Sequence, residues 1–247
     1  MIEQTWLQMG MPIAVRICDA GAGPEDVAAV AAWLEAVDRR FSPYLAASEV
    51  SRFNAGAIGR NELSGDFAEI RRRCEETKAE TGGYFDPMRD GWFDPSGLVK
   101  GWAVERACDI LAARGLANYF VDAGGDVQVV GRNGDGQPWR VGIRNPFRRD
   151  EVVKVLALSD RGVATSGVAA RGQHIYNPRR PGPLETDLVS LTVIAPTIYE
   201  ADRMATAAFA MGRDGLAFVA GRPDLEAYAI AADGMAVYTH GFPAYVR

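Results

Sequence analysis

Apolar residues recur along this chain with two different periods, and the switch between them lays out the elements. Between Thr5 and Cys18, Ile13, Val15 and Ile17 alternate with polar or small residues, which predicts a strand. After the turn Gly21-Ala-Gly-Pro24, the residues Val27, Val30, Ala31, Leu34 and Val37 fall at helical spacing and predict an amphipathic helix over Glu25–Arg40. The stretch 41–59 is loop-rich. A second helix is predicted over Ser64–Thr81, stopped by Gly82-Gly83, and Tyr84–Gly97 reads as irregular around two Asp-Pro pairs. A third helix spans Lys100–Arg114 and ends at Gly115.

The second half is richer in strands. Asn118–Val121 and Val127–Val130 flank the tight connection Asp122-Ala-Gly-Gly-Asp126. Further strands are predicted at Trp139–Ile143, Val152–Leu158, Gly162–Thr165, Leu188–Ala195, Leu225–Ile230 and Ala236–Thr239, with a small-residue helix over Ile198–Gly212. Strands and helices mix without regular βαβ alternation. The expected class is therefore α+β, with residues 1–247 forming one domain.

Composition removes several functions. The 247 residues are 48% hydrophobic and 24% charged, as in ordinary globular proteins. A net charge of −5 gives no broad basic field for nucleic acid. The pairs Arg148-Arg149 and Arg179-Arg180 read as solvated loop charges. The three cysteines, Cys18, Cys74 and Cys108, form no CxxC motif, so neither a disulfide framework nor a cysteine zinc site is expected. Only His174 and His240 are available as imidazole ligands. No apolar run spans a bilayer, and the N-terminus lacks the basic and apolar regions of a signal peptide. The expected location is the cytoplasm. Neither GxGxxG, GxxxxGK[ST] nor a GxSxG elbow is present.

Two segments carry candidate chemistry. Asp94-Pro-Ser-Gly-Leu-Val-Lys-Gly-Trp102 places a carboxylate, a hydroxyl, two glycines and a lysine before a helix, a plausible seat for phosphate. In Glu200-Ala-Asp-Arg-Met-Ala-Thr206, Asp202 and Thr206 stand one helical turn apart. Two hard oxygen ligands so placed suit Mg²⁺, which keeps room for waters and substrate phosphates. An exposed helix charge and a packed hydroxyl satisfy the same pattern.

Nine ordered segments resemble the ApbE family, the FAD:protein FMN transferases. They are Met9-Gly-Met-Pro12, Ser48-Glu-Val-Ser-Arg-Phe-Asn54, Thr81-Gly-Gly-Tyr-Phe-Asp-Pro87, the Asp94–Trp102 segment, Asp122-Ala-Gly-Gly-Asp126, Pro138-Trp-Arg-Val-Gly-Ile143, Ala164-Thr-Ser-Gly167, His174-Ile-Tyr-Asn-Pro178 and Ala201-Asp-Arg-Met-Ala-Thr206. The resemblance implies mixed sheets with packed helices and an active site in a cleft between the two halves. It also implies Mg²⁺-dependent transfer of the FMN half of FAD to a Ser or Thr hydroxyl of a target flavoprotein, with release of AMP. Asp202, Thr206 and the Gly97 carbonyl match the family's metal ligands, and His174 matches its candidate general base. Met9, Tyr44, Gly83, Tyr84, Phe85, Asp94, Lys100, Ser166 and Ile175 match positions around FAD. The same site would serve an FAD pyrophosphatase, with water in place of the protein hydroxyl, or a non-catalytic FAD-binding module. Three departures from the family stand out, one being Pro178-Arg-Arg-Pro-Gly182 in place of the usual Pro-x-x-Gly. Only Met88–Phe93 separates Pro87 from Asp94, where a long insertion is usual, and Asn177 replaces the usual Asp before Pro178.

Overall fold

The computed structural model describes residues 1–148, 150–168, 175–180, 182, 184 and 186–247. Its twelve strands are β1 (Ile2–Gln8), β2 (Met11–Ile17), β3 (Met88–Arg89), β4 (Trp92–Phe93), β5 (Tyr119–Ala123), β6 (Asp126–Val130), β7 (Trp139–Arg144), β8 (Val152–Leu158), β9 (Arg161–Gly167), β10 (Leu188–Ala195), β11 (Glu226–Ala231) and β12 (Ala236–Tyr238). Its six α-helices are α1 (Pro24–Phe41), α2 (Glu49–Asn54), α3 (Gly65–Glu80), α4 (Ser96–Ala113), α5 (Ile198–Met211) and α6 (Asp214–Ala220). The class is α+β, as the absence of βαβ alternation predicts.

Eight strands form one sheet in the order β1-β2-β5-β6-β9-β10-β11-β12, with every neighbouring pair antiparallel. Three insertions build the rest, one of them α5 and α6 between β10 and β11. Helices α1 to α4 all lie between β2 and β5 in the chain, and the separate hairpin β7–β8 lies between β6 and β9.

The period of two along the strands sorts side chains onto two cores. On one face Ile13, Val15, Val121, Ala164, Val193 and Ala229 join the helices. On the other, Val127, Val129, Val163, Ile194 and Tyr228 meet Trp139, Ile143, Leu156 and Phe242. Burying each such large apolar side chain contributes about 1.5–3 kcal/mol.

The structure departs from the sequence reading at five places. Thr5–Cys18 is not one strand but belongs to the hairpin β1–β2. Met9 and Gly10 turn it, with φ of 54° and 71°, and two successive positive φ values are the signature of a tight hairpin turn. Alternation looks the same on both sides of such a turn. Helix α2 lies inside the loop-rich stretch, started by the Ser48 hydroxyl accepting from the Ser51 N–H at 3.0 Å. Helix α4 starts at Ser96, so Gly97 and Lys100 are helical. Helix α6 is new: at six to seven residues, neither α2 nor α6 is long enough to establish a period.

Within 84–97, β3 and β4 form a two-residue hairpin around Asp90-Gly91, both at positive φ. Asn54 clamps it through both polar atoms: its Oδ1 accepts from the Phe93 N–H at 2.8 Å, and its Nδ2 donates to the Phe93 carbonyl at 2.9 Å. This small hairpin fills the short stretch Met88–Phe93 between Pro87 and Asp94.

Candidate active site

Helices α4 and α5 pack against each other with opposite chain sense. Gly97 faces Thr206, and one turn further along α4, Gly101 faces Asp202. A Cβ on Gly97 would stand 3.2 Å from both Phe85 Cε2 and Thr206 Cγ2. A Cβ on Gly101 would stand 2.8 Å from Asp202 Cβ and 2.9 Å from the Ile198 carbonyl. Glycine is therefore required at Gly101 by close approach.

That approach delivers the oxygens. The Gly101 N–H donates to Asp202 Oδ2 at 2.7 Å. Thr206 Oγ1 donates to the Gly97 carbonyl at 3.4 Å. The Lys100 ammonium lies 3.2 Å from Asp202 Oδ1 and forms a second, closer ion pair with Asp126 Oδ2. Asp126 Oδ1 accepts from the Thr165 N–H at 2.9 Å, which ties β6 to β9.

Burial dominates the electrostatics. Asp202 is 4% exposed, and desolvation lifts its carboxyl well above the usual carboxylate range. Lys100 opposes that rise, and the Asp126 charge adds to it. Asp122, at the other end of the Gly124-Gly125 turn, is also raised by burial, while its bond from the Gly125 N–H at 2.7 Å acts against the rise. Two buried carboxylates thus share one lysine.

This floor belongs to a cavity of about 830 Å³. The start of α4, α5, β9, the β5–β6 turn and β7 all contribute to its wall, so it draws on both halves of the chain. The structure brings Tyr84, Phe85, Asp94, Gly97, Lys100, Ser166, Ile175, Asp202 and Thr206 to that wall. Phe85 is fixed there by the Thr81 hydroxyl, which accepts from the Phe85 N–H at 3.1 Å. Asp94 Oδ1 accepts from the Ser96 N–H at 3.0 Å and shapes the start of α4. Arg179 lies over the Tyr84 ring at 4.9 Å.

Three of the expected FAD contacts are not brought there. Tyr44 is 93% exposed and lies outside the wall. Met9 sits in the β1–β2 turn and packs on the helix-side core. Gly83 serves the end of α3 instead: its N–H reaches the Lys78 carbonyl at 2.8 Å while Gly82 takes the left-handed conformation, as in a Schellman motif. His174 lies outside the described residues.

The sequence reading gave no role to Asp122, Asp126 or Thr165. The only signal was a pair of carboxylates bracketing Gly-Gly, and a tight turn explains that pattern equally well. Among the described residues, no group of three or more His, Cys, Asp or Glu is placed to hold a metal ion. Asp202, Thr206 and Gly97 instead gather one carboxylate, one hydroxyl and one main-chain carbonyl at the floor, oxygen types that hard ions take. No helix among the described residues is long and apolar enough to cross a membrane.

Comparison with known proteins bears on this arrangement. The family model described as the ApbE family matches residues 9–91 and 89–229. A curated FAD:protein FMN transferase of Escherichia coli (strain K12) is 33% identical over 156 residues, which are 60% of this chain and 44% of that relative. The chain thus aligns with less than half the length of that relative. The apo structure of Pseudomonas stutzeri flavinyl transferase ApbE superposes with a TM-score of 0.85 at 26% identity, covering 99% of this chain and 96% of that one. The ApbE protein from Thermotoga maritima gives 0.88 at 22% identity, covering 100% and 99%, a likeness of fold.

Proposed function

Since this chain belongs to the ApbE family, we propose that it moves the FMN half of FAD onto a Ser or Thr hydroxyl of a target flavoprotein and releases AMP. The observation that carries the reading is the pairing of Gly97 with Thr206 and Gly101 with Asp202 on the floor of the cavity. It sets three oxygen donors of a hard-cation type beside a lysine, as a pyrophosphate requires.

Asp202, Thr206 and the Gly97 carbonyl would hold Mg²⁺. When bound, the ion offsets charge on the pyrophosphate oxygens. The residues of this chain do the rest. Lys100 supplies a fixed positive charge next to Asp202, and its pairing with Asp126 keeps it from swinging into solvent. Phe85, Tyr84 and Ile175 supply apolar wall for a flat ring system. Ser166 and Asp94 offer polar contacts to the dinucleotide.

The acceptor oxygen forms a bond to the FMN phosphorus. The bond from that phosphorus to the bridging oxygen breaks, and AMP leaves with the bridging oxygen. The hydroxyl proton passes to a base, for which His174 is proposed because a neutral imidazole can accept it near pH 7.

The test is incubation with FAD, Mg²⁺ and a flavoprotein domain bearing a competent acceptor hydroxyl, with intact target mass and AMP measured together. Covalent FMN on the target with AMP released supports the transferase. Free FMN and AMP with an unmodified target would assign a pyrophosphatase instead, and intact bound FAD would assign a binding module.

A further inference from the structure

Strand β7 has one hydrogen-bonded neighbour, β8, so among the described residues its other edge is open. That edge faces the cavity. Five of the six β7 residues line it, odd and even alike, as happens when a strand is seen from its side rather than its face.

The pairing fixes which groups point outward. The Val155 carbonyl accepts from the Arg247 N–H at 3.1 Å, on the far side of β8 from β7. Gly142 is the register partner of Val155. In an antiparallel ladder, a residue whose partner bonds outward also directs its own N–H and C=O outward. Gly142, and Arg140 two residues earlier, therefore present main-chain donors and acceptors to the cavity. Gly142 has no side chain to shield that edge, and a glycine inside a strand is a place where another backbone can come close.

The side chains of Arg140 and Arg144 flank it. Both are exposed and line the cavity; among the described residues neither forms an ion pair, though the Arg144 charge reaches Asp122. An open strand edge between two such arginines, within the cavity that holds Asp202 and Thr206, favours an extended segment bearing carboxylates.

We propose that the acceptor protein binds by adding an extended, acidic segment as a third strand along β7, which leads its hydroxyl to the floor of the cavity. This rests on the transferase reading above. Strand addition takes affinity from main-chain bonds and selectivity from flanking side chains, which are the roles of Gly142 and of the two arginines here.

The experiment compares Gly142→Pro with Gly142→Ala in the transfer assay. Either new Cβ meets Val152 at 3.1–3.2 Å, and Val152 is itself an exposed side chain, so the two variants share that crowding. Only proline removes the N–H, and edge strands tolerate it. Acceptor KM is expected to be about tenfold higher for the proline variant, the loss of one main-chain hydrogen bond. FAD affinity, read by flavin fluorescence without acceptor, is expected to match between the two. The double variant Arg140→Ala with Arg144→Ala keeps the backbone intact, and its raised acceptor KM is expected to converge on wild type as salt increases.

Equal acceptor KM in all variants, or a parallel loss of FAD affinity, overturns the strand-addition proposal while leaving the transferase reading in place. A wild-type protein that yields free FMN and AMP with unmodified target overturns both.

Discussion

The Gly101 N–H donates to Asp202 Oδ2 at 2.7 Å, across a helix contact that joins residues 101 apart in the chain. The carboxylate proposed to hold the metal is therefore oriented by the backbone of another helix. Gly101→Ala tests this dependence. In a free helix, alanine would be favoured by up to about 1 kcal/mol. Here its Cβ would meet a backbone carbonyl at 2.9 Å, which cannot move cheaply. Overpacking of this kind costs about 1–3 kcal/mol, so the clash wins. A lower midpoint in thermal melts is expected, with a weaker apparent Mg²⁺ affinity in AMP release.

Asp202→Ala removes the one carboxylate of the proposed donor set. Mg²⁺-dependent AMP release is expected to fall by at least about a hundredfold, the scale of a lost metal-held charge contact. Asp202→Asn keeps the shape and an acceptor for the Gly101 N–H while losing the charge. If its activity is low and its melting unchanged, charge rather than packing is responsible. Unaltered activity in Asp202→Ala would remove Asp202 from the metal assignment.

His174→Ala is expected to slow transfer by about 10²–10⁴, the range of general-base catalysis, with FAD affinity kept. Single-turnover transfer and flavin fluorescence titration read the two quantities separately. Equal loss in both would make His174 a binding or structural residue.

Asp26 predicts an acid-sensitive element remote from the cavity. Its carboxyl is held below the usual range by the Gly23 N–H, which donates to it at 2.8 Å, and then by the Arg114 guanidinium. A depressed folded pKa means that this stabilisation is present above the unfolded value, about 3.9. It is lost as pH falls through that range toward the folded value. Asp26→Asn is expected to cost about 1–2 kcal/mol at pH 7. Urea melts of the two proteins should draw together as pH falls below the unfolded value, and a constant gap would assign the loss to packing.

The core faces were legible wherever one period persisted. Ile13, Val15 and Ile17 marked the buried side of β2, and Val27, Val30, Leu34 and Val37 marked that of α1. The Asp202–Thr206 spacing was legible for the same reason, since a turn of helix fixes it locally. Met9 and Tyr44 show the limit. A motif match attaches a residue to a segment, but the side chain of Met9 packs on the core from a turn, and that of Tyr44 points to solvent.

The sequence by itself determined the class of fold and the local pairs of polar groups, because these depend on periodicity and on spacing within single elements, while the family followed from the resemblance of nine ordered segments. The tertiary structure decided that Gly101 orients Asp202, that Lys100 joins Asp126 to Asp202, and that, among the described residues, β7 turns an open edge to the cavity. Each of these joins residues distant in the chain through the order of strands and the crossing of two helices. Such contacts are set by how apolar faces pack together, and no local pattern of residues encodes them.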